Sequence, residues 1–443
     1  MKTLALHEMG EVIRKVRKER GLRLEDLADE NISPATVSNI ERGVAHVSPE
    51  KITYLLEKLD LPMHKLPEML VKEQEELKKV KFKLLTIATL RTIGHVDEAL
   101  DKFEDLTLDE SHPYIAHAYY FKGKCYMSKK KWKQAERAFY NALRISQQNP
   151  YKENNMEAAS YLSLGLINYY QNDLEQALEY TNNGIDVFVE DGENQHIKYL
   201  LYRNKGMYLQ RLNRITEGMR LIQEIWSSIS TIDDVSTVLA FYWLRAEFSR
   251  RSGLMEEAIE YAEEGIEIAR RNEKYTSMCD FWTTLGSVYT TQKEWDLAET
   301  SFNIALKLEG KFPNDPRLIN VYTRLGILYM KQNKNEEAYG AIHTAIQHAE
   351  KYNSASRLTS CLSLMGDLCK LMGKTEEAIS YYEKAIQIAN KHNYIDKEFN
   401  AWLNLASCYE GKNEQEFQNC MRNMYNVKKD VRKLEVELLD ETV

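Results

Sequence analysis

Asparagine, arginine and aspartate side chains recur through the second half of this chain at matched places in a repeating frame. Counting a recurrent small residue as position 8 of each unit, positions 2, 6, 9 and 13 of a helix point away from the face at 4, 7, 8 and 11. Those places and their flanks hold Arg203, Asn204 and Arg211; Trp243, Glu247 and Arg251; Asp280 and Ser287; Asn320, Arg324 and Lys331; Asp367; and Asn400, Asn404 and Ser407. An asparagine amide offers the donor and the acceptor of a peptide unit, so a ladder of them can hold an extended backbone without reading its sequence. Arginine and lysine suit acidic side chains or a terminal carboxylate. An extended segment of five to ten residues, at roughly 3.3 Å each, would span about 17–33 Å. Any face turned to water is also polar, so the row carries meaning as a row.

Catalytic chemistry finds no comparable pattern. Gly373-Lys374-Thr375 looks like the end of a phosphate loop, but the position five before Gly373 is Leu368 where that loop needs glycine. His343 and His348 are five apart, which does not put two imidazoles on one helical face for a metal. H-E-x-x-H, G-x-S-x-G and G-x-G-x-x-G are all missing. The expectation is a chain with no catalytic residue, cofactor or metal, and not an enzyme.

The elements that position the polar row follow from the repeat. Small residues stand at Gly123, Gly165, Gly206, Ala246, Gly286, Gly326, Gly366 and Ala406, spaced 42, 41 and then 40 five times. Around them the frame reads aromatic/Gly123/Tyr126/Ala135/Phe139/Ala142, then Trp282/Gly286/Tyr289/Ala298/Phe302/Ala305, and so on. No proline lies between Pro150 and Pro313, which permits a long series of unbroken helices. Each unit reads as two antiparallel helices, with small residues allowing close contact and aromatics filling the space between pairs. The frame resembles the tetratricopeptide repeat, with each helix about one turn longer. Leu90, Gly94, Ala99 and Phe103 look like a degenerate first unit. The frame decays after Tyr409, and Val427–Leu439 reads as a terminal capping helix.

Composition sets the class. The 443 residues are 43% hydrophobic and 28% charged, with 8 prolines and 19 glycines, which excludes collagen, low-complexity disorder and disulfide scaffolds. A net charge of −8 argues against a polycation coating nucleic acid or membrane. No apolar run reaches the length of a membrane span, and no signal-peptide core follows Met1. Six scattered cysteines without a C-x-x-C fit reduced thiols in a cytosol. A cytoplasmic protein with no membrane partner is expected.

The first 66 residues follow another pattern. Met9–Arg20 reads as an amphipathic helix ending at Gly21, and Leu24–Asn31 as a second. Ser33-Pro34 opens a helix that runs to Arg42 and stops at Gly43, and Ser48-Pro49 opens one through Leu59. Ile13, Val16, Leu22, Leu27, Ala28, Val37 and Ile40 have the spacing to pack three helices on one small core. The string IRKVRKERGLRLEDLADENISPATVSNIERG resembles the helix-turn-helix of the phage-repressor-like (XRE) family. That resemblance implies that Arg17 pairs with Glu41 and that Ser33–Arg42 is the recognition helix. Its candidate DNA-binding residues are Ser33, Ala35, Thr36, Ser38, Asn39 and Arg42, small or amide-bearing types suited to base edges, with Asn39 the candidate adenine reader. Leu24 stands where the family usually has a phosphate-contacting glutamine. Residues 1–60 carry a net −1, although Arg14–Arg20 has five positive residues and one negative.

A repressor-like helix-turn-helix ahead of repeats of about 40 residues resembles the RRNPP regulators of Gram-positive bacteria, which sense short re-imported peptides. The resemblance implies an all-α chain: a DNA-binding domain over 1–66, a linker helix over 67–80, a right-handed solenoid of about eight to nine helix pairs over 81–425, and a cap over 426–443. It implies as partners a double-stranded DNA operator, a short signalling peptide held by the polar row, and a second copy in a homodimer or higher homo-oligomer. The alternative is a scaffold that sequesters a response regulator of a sporulation-type phosphorelay.

Overall fold

The computed structural model describes residues 6–44, 47–62, 65–110, 112–148, 154–312 and 315–440. Among them the chain is all-α, without a strand. In chain order the helices are α1 (Leu6–Glu19), α2 (Pro34–Glu41), α3 (Pro49–Lys58), α4 (Leu66–Thr92), α5 (Val96–Asp101), α6 (Ile115–Ser128) and α7 (Trp132–Gln148). Then follow α8 (Met156–Gln171), α9 (Leu174–Asp186), α10 (His196–Arg211), α11 (Ile215–Trp226), α12 (Val235–Arg251), α13 (Met255–Arg271) and α14 (Tyr275–Gln292). The last are α15 (Trp295–Lys307), α16 (Arg317–Lys331), α17 (Asn335–Lys351), α18 (Ala355–Leu371), α19 (Thr375–Lys391), α20 (Ile395–Tyr409) and α21 (Glu414–Asp440). Two compact units divide the chain, residues 1–160 and residues 161–443.

In the first unit, α1 starts earlier than Met9 and ends before Gly21, whose φ of 68° is left-handed. The expected helix over Leu24–Asn31 is reduced to a single 3-10 turn, Glu25–Leu27. Its acidic side chains capture the backbone that a helix would need: Asp26 accepts the Arg23 amide at 2.7 Å, and Asp29 accepts those of Asn31 and Ile32 at 2.9 and 3.1 Å. Ser33 caps α2 by accepting the Thr36 amide at 3.2 Å, with Pro34 in the first helical position. Val12, Ile13, Val16, Leu27, Val37 and Ile40 are buried together with Ile32, Ile52, Leu55 and Leu59, while Leu22 is only partly buried. The segment 67–80, expected as a linker helix, is helical, and α4 runs unbroken through it to Thr92. Gly94 is a turn residue at φ 92°, not a packing position, and its pair closes on Leu84, Ile87 and Ala99.

The repeat frame has a concrete packing basis in both units. A Cβ added to Gly123 would lie 2.7 Å from the Phe139 ring, and one added to Gly366 would lie 2.5 Å from the Tyr382 ring. The same offset of sixteen residues joins Gly286 to Phe302 and Gly326 to Ile342, so a bulky side chain of the second helix drops onto the bare backbone of the first. Turns within the pairs are equally periodic. Lys130, Asn172, Asn213, Gly253, Lys293, Asn333 and Gly373 all have positive φ, each seven residues after its small residue. The amide following each reaches back five residues, as Leu254 N does to Ser249 O at 2.9 Å, closing a Schellman cap.

In the second unit the first helices of successive pairs also touch, α10 to α12, α12 to α14, α14 to α16, α16 to α18 and α18 to α20. They form a continuous inner layer. The expected cap over 426–443 has no break at its start, since α21 begins at Glu414 and runs to Asp440; residues 441–443 lie outside the described residues.

Candidate functional site

Helix α2 is held by a buried ion pair. Arg17 Nε and Nη2 donate to the two carboxylate oxygens of Glu41 at 2.5 and 2.9 Å, and Nη1 donates to Leu22 O at 2.8 Å. The hydrogen bond to Glu41 raises the Arg17 pKa above its usual value, against the opposing effect of burial. Asp29 ties the turn before α2 to α3, accepting Tyr54 Oη and Lys58 Nζ at 2.6 Å each. Those bonds hold its carboxyl well below the ordinary aspartate range. On this frame Ser33, Ala35 and Arg42 are exposed, and Thr36, Ser38 and Asn39 are half-buried. Asn39 Oδ1 accepts from Arg42 Nη2 at 2.5 Å, which orients the amide along the helix surface.

The polar row of the second unit separates into three kinds of residue. Glu247, expected on the concave face, is fully buried. It accepts Arg250 at 2.6 and 3.1 Å, Arg251 at 3.2 Å and Arg324 at 3.3 Å. Burial pushes its carboxyl up, but Arg324, Arg250 and Arg251 outweigh burial and hold it at about 2. Arg251 also donates to Gln210 O at 3.1 Å and Asn213 Oδ1 at 3.2 Å, and Arg324 donates to Ser287 Oγ at 2.5 Å. Glu247, Arg251 and Arg324 therefore stitch the inner layer from α10 to α16. Asp280 accepts Arg317 at 3.0 Å, and Asp367 accepts Tyr382 Oη at 2.6 Å and Asn404 Nδ2 at 3.1 Å. Burial raises both aspartate pKa values.

A second kind is poised around α10. Asn204 is 4% exposed; its Oδ1 accepts Arg203 at 3.3 and 3.2 Å, and its amide lies beside the Tyr208 hydroxyl. Burial lowers the Arg203 pKa. The Arg211 guanidinium lies 5.0 Å from the centre of the Tyr169 ring, and Tyr169 stacks on Tyr208 at 5.3 Å. Trp243 is half-buried against the aliphatic core. The third kind, Asn320, Lys331 and Asn400, is exposed.

A helix-turn-helix model matches residues 13–66, and tetratricopeptide-repeat models match residues 114–188, 239–272 and 317–391. The chain is a helix-turn-helix protein with tetratricopeptide repeats. No curated protein matches it in sequence. Solved structures share its fold. The apo form of the quorum sensor NprR from B. thuringiensis superposes with a TM-score of 0.56 at 16% identity, over 80% of this chain and 98% of that one. NprR in complex with its cognate peptide NprX gives 0.54 at 16% identity, over the same shares. A Rap protein complexed with competence and sporulation factor gives 0.56 at 14% identity, over 80% and 99%. The resemblance to the RRNPP regulators thus holds in architecture.

Reading the frame at four helix positions missed two cations of this repeat protein. Arg357 and Lys397 stand nine residues before Gly366 and Ala406, as Arg317 does before Gly326. That 40-residue spacing was the available signal, one turn outside the positions considered. Lys397 Nζ donates to Ser356 Oγ at 2.7 Å and Ser360 Oγ at 2.9 Å. Burial lowers its pKa to about 8, with Arg211 and Arg357 adding to the effect.

Proposed function

We propose that this protein is a transcription regulator that binds operator DNA through α2 and is switched by a short linear peptide held on the inner layer of its repeats. The single observation that carries the reading is the pairing of an XRE-type module, locked by Arg17–Glu41, with a repeat unit folded like that of the peptide-bound NprR structure. Ser33, Ala35, Thr36, Ser38, Asn39 and Arg42 supply the DNA contacts. One module has limited affinity, so a homodimer or higher homo-oligomer reads two half-sites. The peptide lies along Arg203, Asn204, Arg211, Trp243, Asn320, Lys331, Asn400 and Asn404. Glu247, Arg251, Arg324, Asp280 and Asp367 act behind them by fixing the spacing of the inner helices. Such a regulator works in the cytoplasm. A second reading, sequestration of a response regulator, is supported by the equal likeness to a Rap protein.

The test has two arms on the full-length chain. Selection from a random duplex pool should yield an enriched sequence, and mass spectrometry of the protein isolated from its native cytosol should find a short co-purifying peptide. A pool that stays random would refute the DNA reading. Recovery of a response regulator without any peptide would favour the second reading.

A further inference from the structure

Arg317, Arg357 and Lys397 occupy one position in three successive repeats, so their side chains follow one another along α16, α18 and α20. Equivalent positions of stacked helices form a ridge on the inner layer. Arg211, the last residue of α10, joins them from an earlier part of the stack: its charge acts on both Arg357 and Lys397. Lys397 Nζ of α20 reaches Ser356 and Ser360 of α18, on either side of Arg357 in sequence, at 2.7 and 2.9 Å.

The charges at that place are not balanced. Arg317 is neutralised by Asp280 at 3.0 Å and by Asp315. Asp315 is within electrostatic reach of Arg357 but is already held by Arg317. Lys397 Nζ bonds to serine oxygens and lies 5.7 Å from the centre of the Tyr394 ring, and Arg211 lies over the Tyr169 ring. Among the described residues Arg357 makes no hydrogen bond or ion pair. Arg317 with its two aspartates leaves one negative charge against the three cations Arg211, Arg357 and Lys397. Such an excess of like charge raises the free energy of the empty site and lowers that of an anion entering it. Beside them, Tyr169 stacks on Tyr208, whose hydroxyl faces the Asn204 amide one turn back along α10. An anionic group is what these neighbours lack.

We infer that Arg211, Arg357 and Lys397 form a carboxylate-binding subsite of the peptide groove. The inference rests on the peptide reading above and deepens it: the ligand is a peptide that presents an acidic side chain or a free C-terminus to this cluster. Arg251 and Arg324, committed to Glu247, do not take part.

The probes are four pools of random heptapeptides labelled at the N-terminus, with the C-terminus free or amidated and with Asp and Glu permitted or excluded. Each is passed over the wild-type full-length chain and the Arg357→Met, Arg357→Lys and Lys397→Met variants. Wild type should enrich carboxylate-bearing peptides about tenfold over amidated, acid-free ones, as a charge-assisted contact provides. Enrichment that follows the free C-terminus assigns that group, and enrichment that follows Asp and Glu assigns a side chain. Arg357→Met and Lys397→Met should abolish the preference, and Arg357→Lys should restore part of it. The peptide-free Arg357→Met protein should melt no lower than wild type, because a repelling charge has been removed. Undiminished enrichment by both Met variants, or a lowered melting temperature of Arg357→Met, would overturn the subsite while leaving the peptide reading intact. Retention of none of the pools by wild type would end both.

Discussion

Arg324 reaches Glu247 at 3.3 Å across 77 positions of sequence, joining α16 to α12 through a carboxylate that has no contact with solvent. Two residues that suit a ligand by type are thereby committed to each other. Removing one partner of such a pair leaves an uncompensated buried charge, which costs about 3–5 kcal/mol. Glu247→Ala should lower the urea stability of the chain by that order at neutral pH. The folded carboxyl is held near 2, below its usual 4.5, so its contribution is complete above about pH 4.5 and disappears as pH falls toward 2. The gap between wild type and variant should therefore narrow on acidification. An equal gap at pH 7 and pH 3 would contradict the charge hub.

Arg17→Met should loosen the helix-turn-helix module alone. The pair is nearly as enclosed, with side-chain exposures of 10% and 6%, so the loss is again about 3–5 kcal/mol. All six tryptophans lie beyond residue 130, so their fluorescence is blind to it. Amide exchange of peptides from residues 13–56 should speed up while those from residues 235–409 keep wild-type protection. Unchanged exchange over 13–56 would show that the pair is dispensable.

Asn39→Ala should cost roughly 1–3 kcal/mol on the selected operator and little on random duplex. Equal loss on both would mean that Asn39 serves only to hold Arg42, its partner at 2.5 Å.

Assembly should depend on the C-terminal pair. Leu403, Met421 and Tyr425 are 46%, 37% and 65% exposed on α20 and α21, a patch that a second copy would cover. Removing residues 411–443 also uncovers Cys420's neighbours in the core, so the expected product is a monomer or an aggregate by light scattering. A soluble truncated dimer would put the interface elsewhere.

The helix pairs could be read from sequence because their packing is local and periodic: Gly123 and Phe139, Gly286 and Phe302, and Gly366 and Tyr382 are all sixteen residues apart. The Ser33 and Pro34 start of α2 was as plain, being decided within one turn. The helix expected over Leu24–Asn31 was not, because Asp26 and Asp29 spend their carboxylates on nearby amides, a competition that apolar spacing does not register. Nor was the fate of Glu247. Its position borders the packing face of α12, and whether it meets water or Arg324 depends on how closely α12, α14 and α16 stack. Arg357 and Lys397 stand one turn outside the four helix positions of the frame. Their 40-residue spacing is legible, but the nearness of Arg211 is not, because it depends on contacts between distant helices.

The central claim is that peptide occupancy changes DNA affinity, and operator titration with and without a saturating co-purified peptide tests it most directly. Coupling between two sites of a regulator is typically about 1–3 kcal/mol, or roughly 5–150-fold in affinity. Wild type should show a shift of operator affinity in that range. Asn204→Ala should bind peptide roughly 1–3 kcal/mol more weakly and bind peptide-free operator as wild type does. An operator affinity identical with and without bound peptide would contradict the account.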